Sequence, residues 1–302
     1  MAVKTIQATI NGQTTTLTKN STTGKWEATI TAPSLSSYKQ SGHYYPVTVK
    51  ATDEAGNVAT KDASDATLGS KLRLVVKEKV APVITITAPT AGAYLANNTP
   101  EIKFKVTDND SGVNPDTIKI TIDSGAAITA GITKNEVSGG YECTYKPTTA
   151  LSDGSHTIKV DASDYDGNAA AQKSVTFKID TVPPTLSITN PANGLITNKA
   201  ACTVSGTTND VTSSPCTVTI KLNSGAAEAV TVNDDGTFSK ALTLAAGSNT
   251  ITVVATDKAG KQTTVTRTVT LDTTPPSITE VTITPNPVDA GKTFVISVTV
   301  TD

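Results

Sequence analysis

Apolar residues along this chain fall mostly at alternate positions. In Val175-Thr176-Phe177-Lys178-Ile179 every second side chain is apolar, which predicts a strand with one face buried and the other in water. Asp180-Thr181-Val182-Pro183-Pro184 follows, and then a second alternating run. Proline donates no backbone N–H and biases the residue before it away from helix, so one strand ends there and the next begins with its own pairing. The pattern of strand, proline break and strand occurs at residues 74–89, 175–191 and 269–285. A short, stiff linker between modules is the economical reading.

A second element recurs between the proline breaks. Val49-Lys50-Ala51-Thr52-Asp53-Glu54-Ala55-Gly56-Asn57 returns as Val160-Asp161-Ala162-Ser163-Asp164-Tyr165-Asp166-Gly167-Asn168 and as Val253-Val254-Ala255-Thr256-Asp257-Lys258-Ala259-Gly260-Lys261. Each is a strand entering a tight turn, in which the Asp side chain caps its own loop and Gly supplies the left-handed conformation. Between the first and second proline breaks, strands are expected near 83–88, 101–107, 116–123, 128–133, 140–146, 155–162 and 172–179. Turn signals such as Asp108-Asn109-Asp110-Ser111-Gly112 and Ser152-Asp153-Gly154 separate them. Seven strands in about 100 residues is the spacing of an immunoglobulin-like sandwich, and the next segment follows the same plan.

The two ends hold parts of that plan. Thr5 to Gly12 aligns with Ile118 to Gly125, and Trp26-Glu27-Ala28-Thr29 with Tyr141-Glu142-Cys143-Thr144, so the first segment begins at the third strand. Val298-Thr299-Val300-Thr301-Asp302 parallels the stretch ending at Asp108, so the last segment stops after the second. The expected organisation is an elongated array. Residues 1–80 form an incomplete domain, 81–182 and 183–274 complete ones, and 275–302 a two-strand piece. An open half sandwich is marginal and sticky, and donation of the last two strands to the first segment of another copy would cover it. Such a head-to-tail contact builds a filament; the plainer alternative is further chain after residue 302.

Composition agrees with a small-core β protein: of 302 residues, 4% are aromatic and 17% charged, with Thr, Val, Ile and Ala prominent. A formal charge of -2 without a Lys/Arg cluster offers no footprint for nucleic acid or an anionic membrane, and no stretch is apolar enough to insert into a bilayer. The amino terminus, MAVKTIQATING, shows no secretory signal pattern. The expectation is either a fragment of a secreted protein or a protein made in the cytoplasm that leaves by another route, such as virion release. Cys143, Cys202 and Cys216 read as buried thiols, with a Cys202–Cys216 disulfide as the alternative.

Candidate chemistry is sparse. His43 and His156 have no nucleophile or paired carboxylate at a recognisable spacing, and His156 aligns with Tyr45 and Asn249 of the other segments, which makes it structural. Asp108-Asn109-Asp110 and Asp161, Asp164 and Asp166 offer several oxygens, but the full calcium-loop spacing with a distal Glu is absent and the turn at Asp257 carries Lys258. Asx-turn chemistry is therefore preferred, and no catalytic, cofactor or metal residue is assigned. Trp26, Tyr38, His43, Tyr44 and Tyr45 cluster in the first segment. Rings of this kind stack on sugars, as on a host cell-surface glycan, but the alternation of Tyr45, Val47 and Val49 favours packing.

With V-x-A-T/S-D-x-x-G-N, D-T-x-P-P and I-T-x-P recurring together, the sequence resembles bacterial immunoglobulin-like repeat proteins, of the Big type, found on cell surfaces and encoded beside phage tail genes. The resemblance covers nearly the whole chain. It implies tandem all-β sandwiches with no catalytic residues, and a spacer or decoration of a phage tail whose partners are further copies or other virion proteins. The stalk of a bacterial surface adhesin and an accessory region of a carbohydrate-active enzyme are the alternatives.

Overall fold

The computed structural model describes residues 2–302. It is built of strands, and it divides into two units, Met1–Ala93 with Asn98–Lys178, and Tyr94–Asn97 with Ile179–Asp302.

The first unit opens with a single sheet. Its strands are β1 (Val3–Ile10), β2 (Gln13–Lys19), β3 (Trp26–Glu27), β4 (Tyr45–Asp53), β5 (Val58–Lys61) and β6 (Arg73–Leu74), in the order β3-β2-β1-β4-β5 with β6 also on β4. Asn11 and Gly12 both adopt positive φ, 47° and 76°, as a two-residue hairpin between right-twisted strands requires. Ile6, Ala8 and Ile10 lie opposite Ala51, Val49 and Val47, which makes one apolar face. Of these six, Ala8 alone is fully buried, because no second sheet covers the face among the described residues. Trp26 sits half-buried on a two-residue strand at the sheet edge.

The rest of the first unit is a two-layer sandwich. Its strands are β7 (Val83–Ala88), β9 (Ile102–Thr107), β10 (Val113–Ile122), β11 (Thr133–Val137), β12 (Gly140–Tyr145), β13 (Gly154–Asp164) and β14 (Lys173–Ile179); the two-residue β8 (Tyr94–Leu95) falls between β7 and β9 in sequence. One layer has the order β11-β12-β9-β7, and in the other β10 pairs β13 and β13 pairs β14. Ile102, Phe104 and Val106 from the first layer meet Ile118, Ile120, Ile158, Val160 and Phe177 from the second, all essentially without solvent contact. The fourth strand departs from expectation. Residues 128–133 are mostly loop, tied to β10 by a single bridge between Ile120 and Ile128, and β11 begins at Thr133. The tight hairpin at Ser138-Gly139, with Val137 opposite Gly140, places β11 beside β12.

In the second unit β15 (Thr185–Asn190), β17 (Ala201–Asn209) and β20 (Thr237–Thr243) form one layer. The other contains β16 (Leu195–Thr197), β22 (Gln262–Leu271), β21 (Gly247–Thr256), β18 (Thr217–Leu222) and β19 (Glu228–Val230), with β16 parallel to β22. Here the fourth strand, β19, pairs β18, so the two sandwiches differ in the layer this strand joins. Val204, Val218, Ile220, Phe238, Ile251, Val253 and Val269 fill the core. Gly206 is needed there, since a Cβ would stand 2.2 Å from the Ser187 carbonyl oxygen and 2.8 Å from the Phe238 ring. Cys143, Cys202 and Cys216 are buried free thiols, so the disulfide alternative is not realised.

The last element is a lone hairpin, β23 (Ser277–Thr284) with β24 (Val295–Thr301). Ile278 pairs with Val300 and Val281 with Val298, as Ile84 pairs with Val106 and Ile86 with Phe104 in the first sandwich, but the bulge falls between Ile278 and Glu280 here and between Ile86 and Ala88 there. Ile278, Val281, Ile283, Ile296, Val298 and Val300 are 44–65% exposed, against 0–2% for Ile84, Ile102, Phe104 and Val106.

Burial of this kind sets the stability. Phe177→Ala removes a fully buried ring and is expected to cost about 3–5 kcal/mol, read as a fall in the denaturant midpoint. Val211→Ala, at a fully exposed position, is expected to stay within about 0.5 kcal/mol.

Candidate functional site

The turn aspartates cap their loops as expected. Asp53 Oδ1 accepts from the amides of Ala55 and Asn57 at 2.9 and 2.8 Å, Asp164 Oδ1 from Asn168 at 2.7 Å, and Asp257 Oδ1 from Lys261 at 2.9 Å. Asp108 Oδ1 takes the amides of Asp110 and Gly112, and Asp210 Oδ1 those of Thr212 and Ser213. Each carboxylate thus fixes a short loop that would otherwise lose backbone hydrogen bonds.

The fold then brings capped loops together in a way that no single loop displays. In the second unit Asp180, Asp210 and Asp257 each place a carboxylate oxygen within 4.8 Å of the other two, and all three are buried. Asp180 comes from the proline linker, Asp210 from the loop after β17 and Asp257 from the turn after β21. Ser213 sits among them, its hydroxyl donating to Asp180 Oδ2 and to Asp210 Oδ1. In the first unit the equivalent positions, Glu78, Asp108 and Asp164, form a second such group. Glu78 Oε1 accepts from the Ser111 amide at 2.5 Å, and Asn168 Nδ2 donates to Asp164 Oδ2 and to the Glu78 carbonyl.

Like charges at this separation repel by about 3–4 kcal/mol per pair at an effective dielectric of ~20. Hydrogen bonds offset part of this. Burial pushes the Asp210 carboxyl up, but the amides of Ser213 and Thr212 and the Ser213 hydroxyl outweigh it and hold the group below the usual range. None of the ion pairs formed by the described residues includes one of these six carboxylates.

In the first unit the linker acid lies within a wider set of contacts between the β1–β6 sheet region and the following sandwich. The Ser36 amide donates to both oxygens of Asp110, at 2.9 and 3.1 Å, Lys39 Nζ to the Asn109 carbonyl at 2.8 Å, and the Glu78 amide to Asp166 Oδ2 at 3.0 Å. Tyr38 stacks on His43 and on Tyr165, with ring centroids 4.3 and 4.1 Å away. Both faces of that ring are occupied. Arg73 lies over Tyr44, and buried Tyr45 donates its hydroxyl to the Leu35 carbonyl. Among the described residues of this cluster, packing accounts for the rings.

His156 is a structural residue. It is buried, with Nδ1 2.8 Å from Asp123 Oδ2 and Nε2 2.8 Å from the Ser152 carbonyl. Burial alone would lower its pKa, but the Ser152 carbonyl and the Asp123 carboxylate together raise it. Asn249 fills the same slot in the second unit, bonded to Asn223 and to both polar groups of the Ala245 backbone.

Family models that match parts of the chain support immunoglobulin-like repeats. Residues 82–160 match the family model described as Bacterial Ig domain, and residues 184–273 match that described as Glucodextranase, domain B. Among curated proteins the chain is similar to Bacillopeptidase F of Bacillus subtilis (strain 168), 30% identical over 184 residues. That match takes in 61% of this chain and 11% of the relative, so the chain spans a small part of that protein's length. Among solved structures it is similar to the fibronectin(III)-like modules of Clostridium thermocellum CbhA, with 15% identity, a TM-score of 0.39, and 63% of this chain and 94% of that one covered. It is also similar to domains A168-A170 of titin, with 13% identity, a TM-score of 0.42, and 76% and 73% covered. Repeats of this kind point to a structural or accessory role.

The His156 pair makes stability depend on pH. A raised histidine pKa contributes stability that is fully present below the unfolded value of about 6.5 and is lost as pH rises through the folded value. His156→Asn, which copies the residue that Asn249 supplies in the second unit, is expected to fold and to melt below wild type near pH 5.5, with the gap shrinking toward pH 8. A gap independent of pH would contradict this account.

Proposed function

We propose that this chain is a non-catalytic spacer, the accessory region of a larger protein that carries an enzyme. The observation that carries the reading is the match to Bacillopeptidase F, in which the similar stretch is a minor fraction of an enzyme-named chain, together with the match of residues 184–273 to a glucodextranase domain. These matches favour the accessory-region reading over the phage-tail one, which they do not support. A spacer must hold under load, and the sandwiches suit this, since each locks alternating strands from two layers around one core. Pulled from its ends, the chain is expected to give two discrete unfolding events, each releasing about 300 Å at ~3.5 Å per residue. A featureless extension would remove the load-bearing reading.

A second reading concerns how copies meet. The β23–β24 hairpin repeats the antiparallel pairing of β7 with β9, its bulge displaced, with its apolar face bare, and the β1–β6 sheet repeats the β10, β13 and β14 side of a sandwich with no covering layer among the described residues. A second copy of the chain would supply each surface with what covers it in the intact sandwich, by head-to-tail strand donation, as would further chain beyond either end. Light scattering after size exclusion is expected to show oligomers that grow with concentration and vanish on deletion of residues 277–302. A concentration-independent monomer, unchanged by the deletion, would refute it.

A further inference from the structure

We infer that Asp180, Asp210 and Asp257 form a binding site for a divalent cation of the calcium class. Three observations carry this beyond the presence of acidic residues. The three carboxylates are 1%, 7% and 7% exposed and converge within 4.8 Å, from a linker and two loops that the sequence holds far apart. Asp257 Oδ2 is buried and has no hydrogen-bond partner, while its Oδ1 is committed to the Lys261 amide. A desolvated carboxylate oxygen beside two further carboxylates, with no ion-pair partner among the described residues, is costly unless a cation or a shared proton completes the group.

The arrangement also recurs. Glu78, Asp108 and Asp164 stand at the same three positions around the sandwich of the first unit. There Ser111, the counterpart of Ser213, is 1% exposed and its hydroxyl has no partner. In the second unit the Ser213 hydroxyl donates to two members of the group, so the orphaned Ser111 hydroxyl marks the corresponding place. Two sandwiches that differ in the layer their fourth strand joins nevertheless keep the same acid triad.

The donor set selects the ion. All groups are carboxylate oxygens from separate loops, without thiolate or imidazole, which suits a hard cation rather than zinc or copper. Carboxylates on three independent loops match the flexible, oxygen-rich coordination of calcium better than the rigid octahedron of magnesium. A bound ion would fasten the segment entering the sandwich to two loops at one end of it, and would add stability by mass action.

The test uses the full chain and calcium alone. Equilibrium dialysis is expected to give two calcium ions per chain for wild type and one for Asp257→Asn, which keeps the Oδ1 acceptor and the side-chain shape. Asp164→Asn is likewise expected to lose one. In chelator, Asp257→Asn is expected to melt at or above wild type because a repelling charge has gone, and in millimolar calcium to lose part of the rise in Tm that wild type shows. Wild-type chain that takes up no calcium, or an Asp257→Asn variant that binds as much as wild type, would overturn the inference. Should Asp257→Asn fail to fold, Asp180→Asn is to be read the same way. An increase in Tm with magnesium but none with calcium would overturn the choice of ion.

Discussion

Every sheet in this chain is apolar on one face, and what covers that face decides what each segment is. With aromatics at 4% of the sequence, the cores are made of β-branched side chains and a few rings, each contributing roughly 1.5–3 kcal/mol when fully buried. Such a core exists only where two layers meet. The contrast between β7–β9 and β23–β24 isolates this constraint, because the two strand pairs set similar apolar residues opposite one another, Ile84 with Val106 and Ile278 with Val300, although their bulges fall at different places. With a second layer Ile84, Ile102, Phe104 and Val106 are sealed; without one the counterparts are about half exposed. Local sequence makes the strand pair, and the partner layer makes the domain.

Charge follows a different logic. Each turn Asp first satisfies its own loop, as Asp53 does for Ala55 and Asn57, and this much is a local matter of backbone amides. Asp164 and Asp257 make the same local bonds and in addition face two other carboxylates, because the linker and the loop after the second strand arrive at the same end of the sandwich. Amides and hydroxyls satisfy most of these oxygens, and Asp257 Oδ2 is left over. Packing thus tolerates an electrostatic cost that local turn chemistry does not require, and that residual cost points to a ligand more than the count of acids does.

Alternation made most of the fold readable. Ile102, Phe104 and Val106, or Ile158, Val160 and Ala162, announce their strands and their buried face directly. It misled at Ile128, Ala130 and Ile132, which alternate but lie on a loop broken by Gly131 at φ 75°. The true strand there, Thr133 to Val137, is mostly polar, and it pairs because a glycine hairpin folds it onto β12. Asp108 and Asp164 were readable as turn acids, but their convergence with a linker acid was not. Asp180, Asp210 and Asp257 are separated by 30 and 47 positions (210 − 180 and 257 − 210), and Lys258 beside the last suggested a neutralised turn. In the structure Lys258 Nζ lies instead 5.2 Å from the centroid of the Tyr94 ring.

The two bare surfaces can now be compared by their acids as well as their apolar faces. Asp272 stands after its strand as Asp180 and Glu78 do after theirs, and Asp302 follows β24 as Asp108 follows β9. Asp53 holds the turn position of Asp164 and Asp257. The terminal hairpin region therefore carries the linker acid and the loop acid of a triad, and the β1–β6 sheet carries the turn acid. Any contact that placed this hairpin over that sheet in the manner of the intact sandwiches would close an apolar core and assemble an acid triad in the same step. Core and triad are divided along the same line, so in this repeat they are two consequences of one strand arrangement.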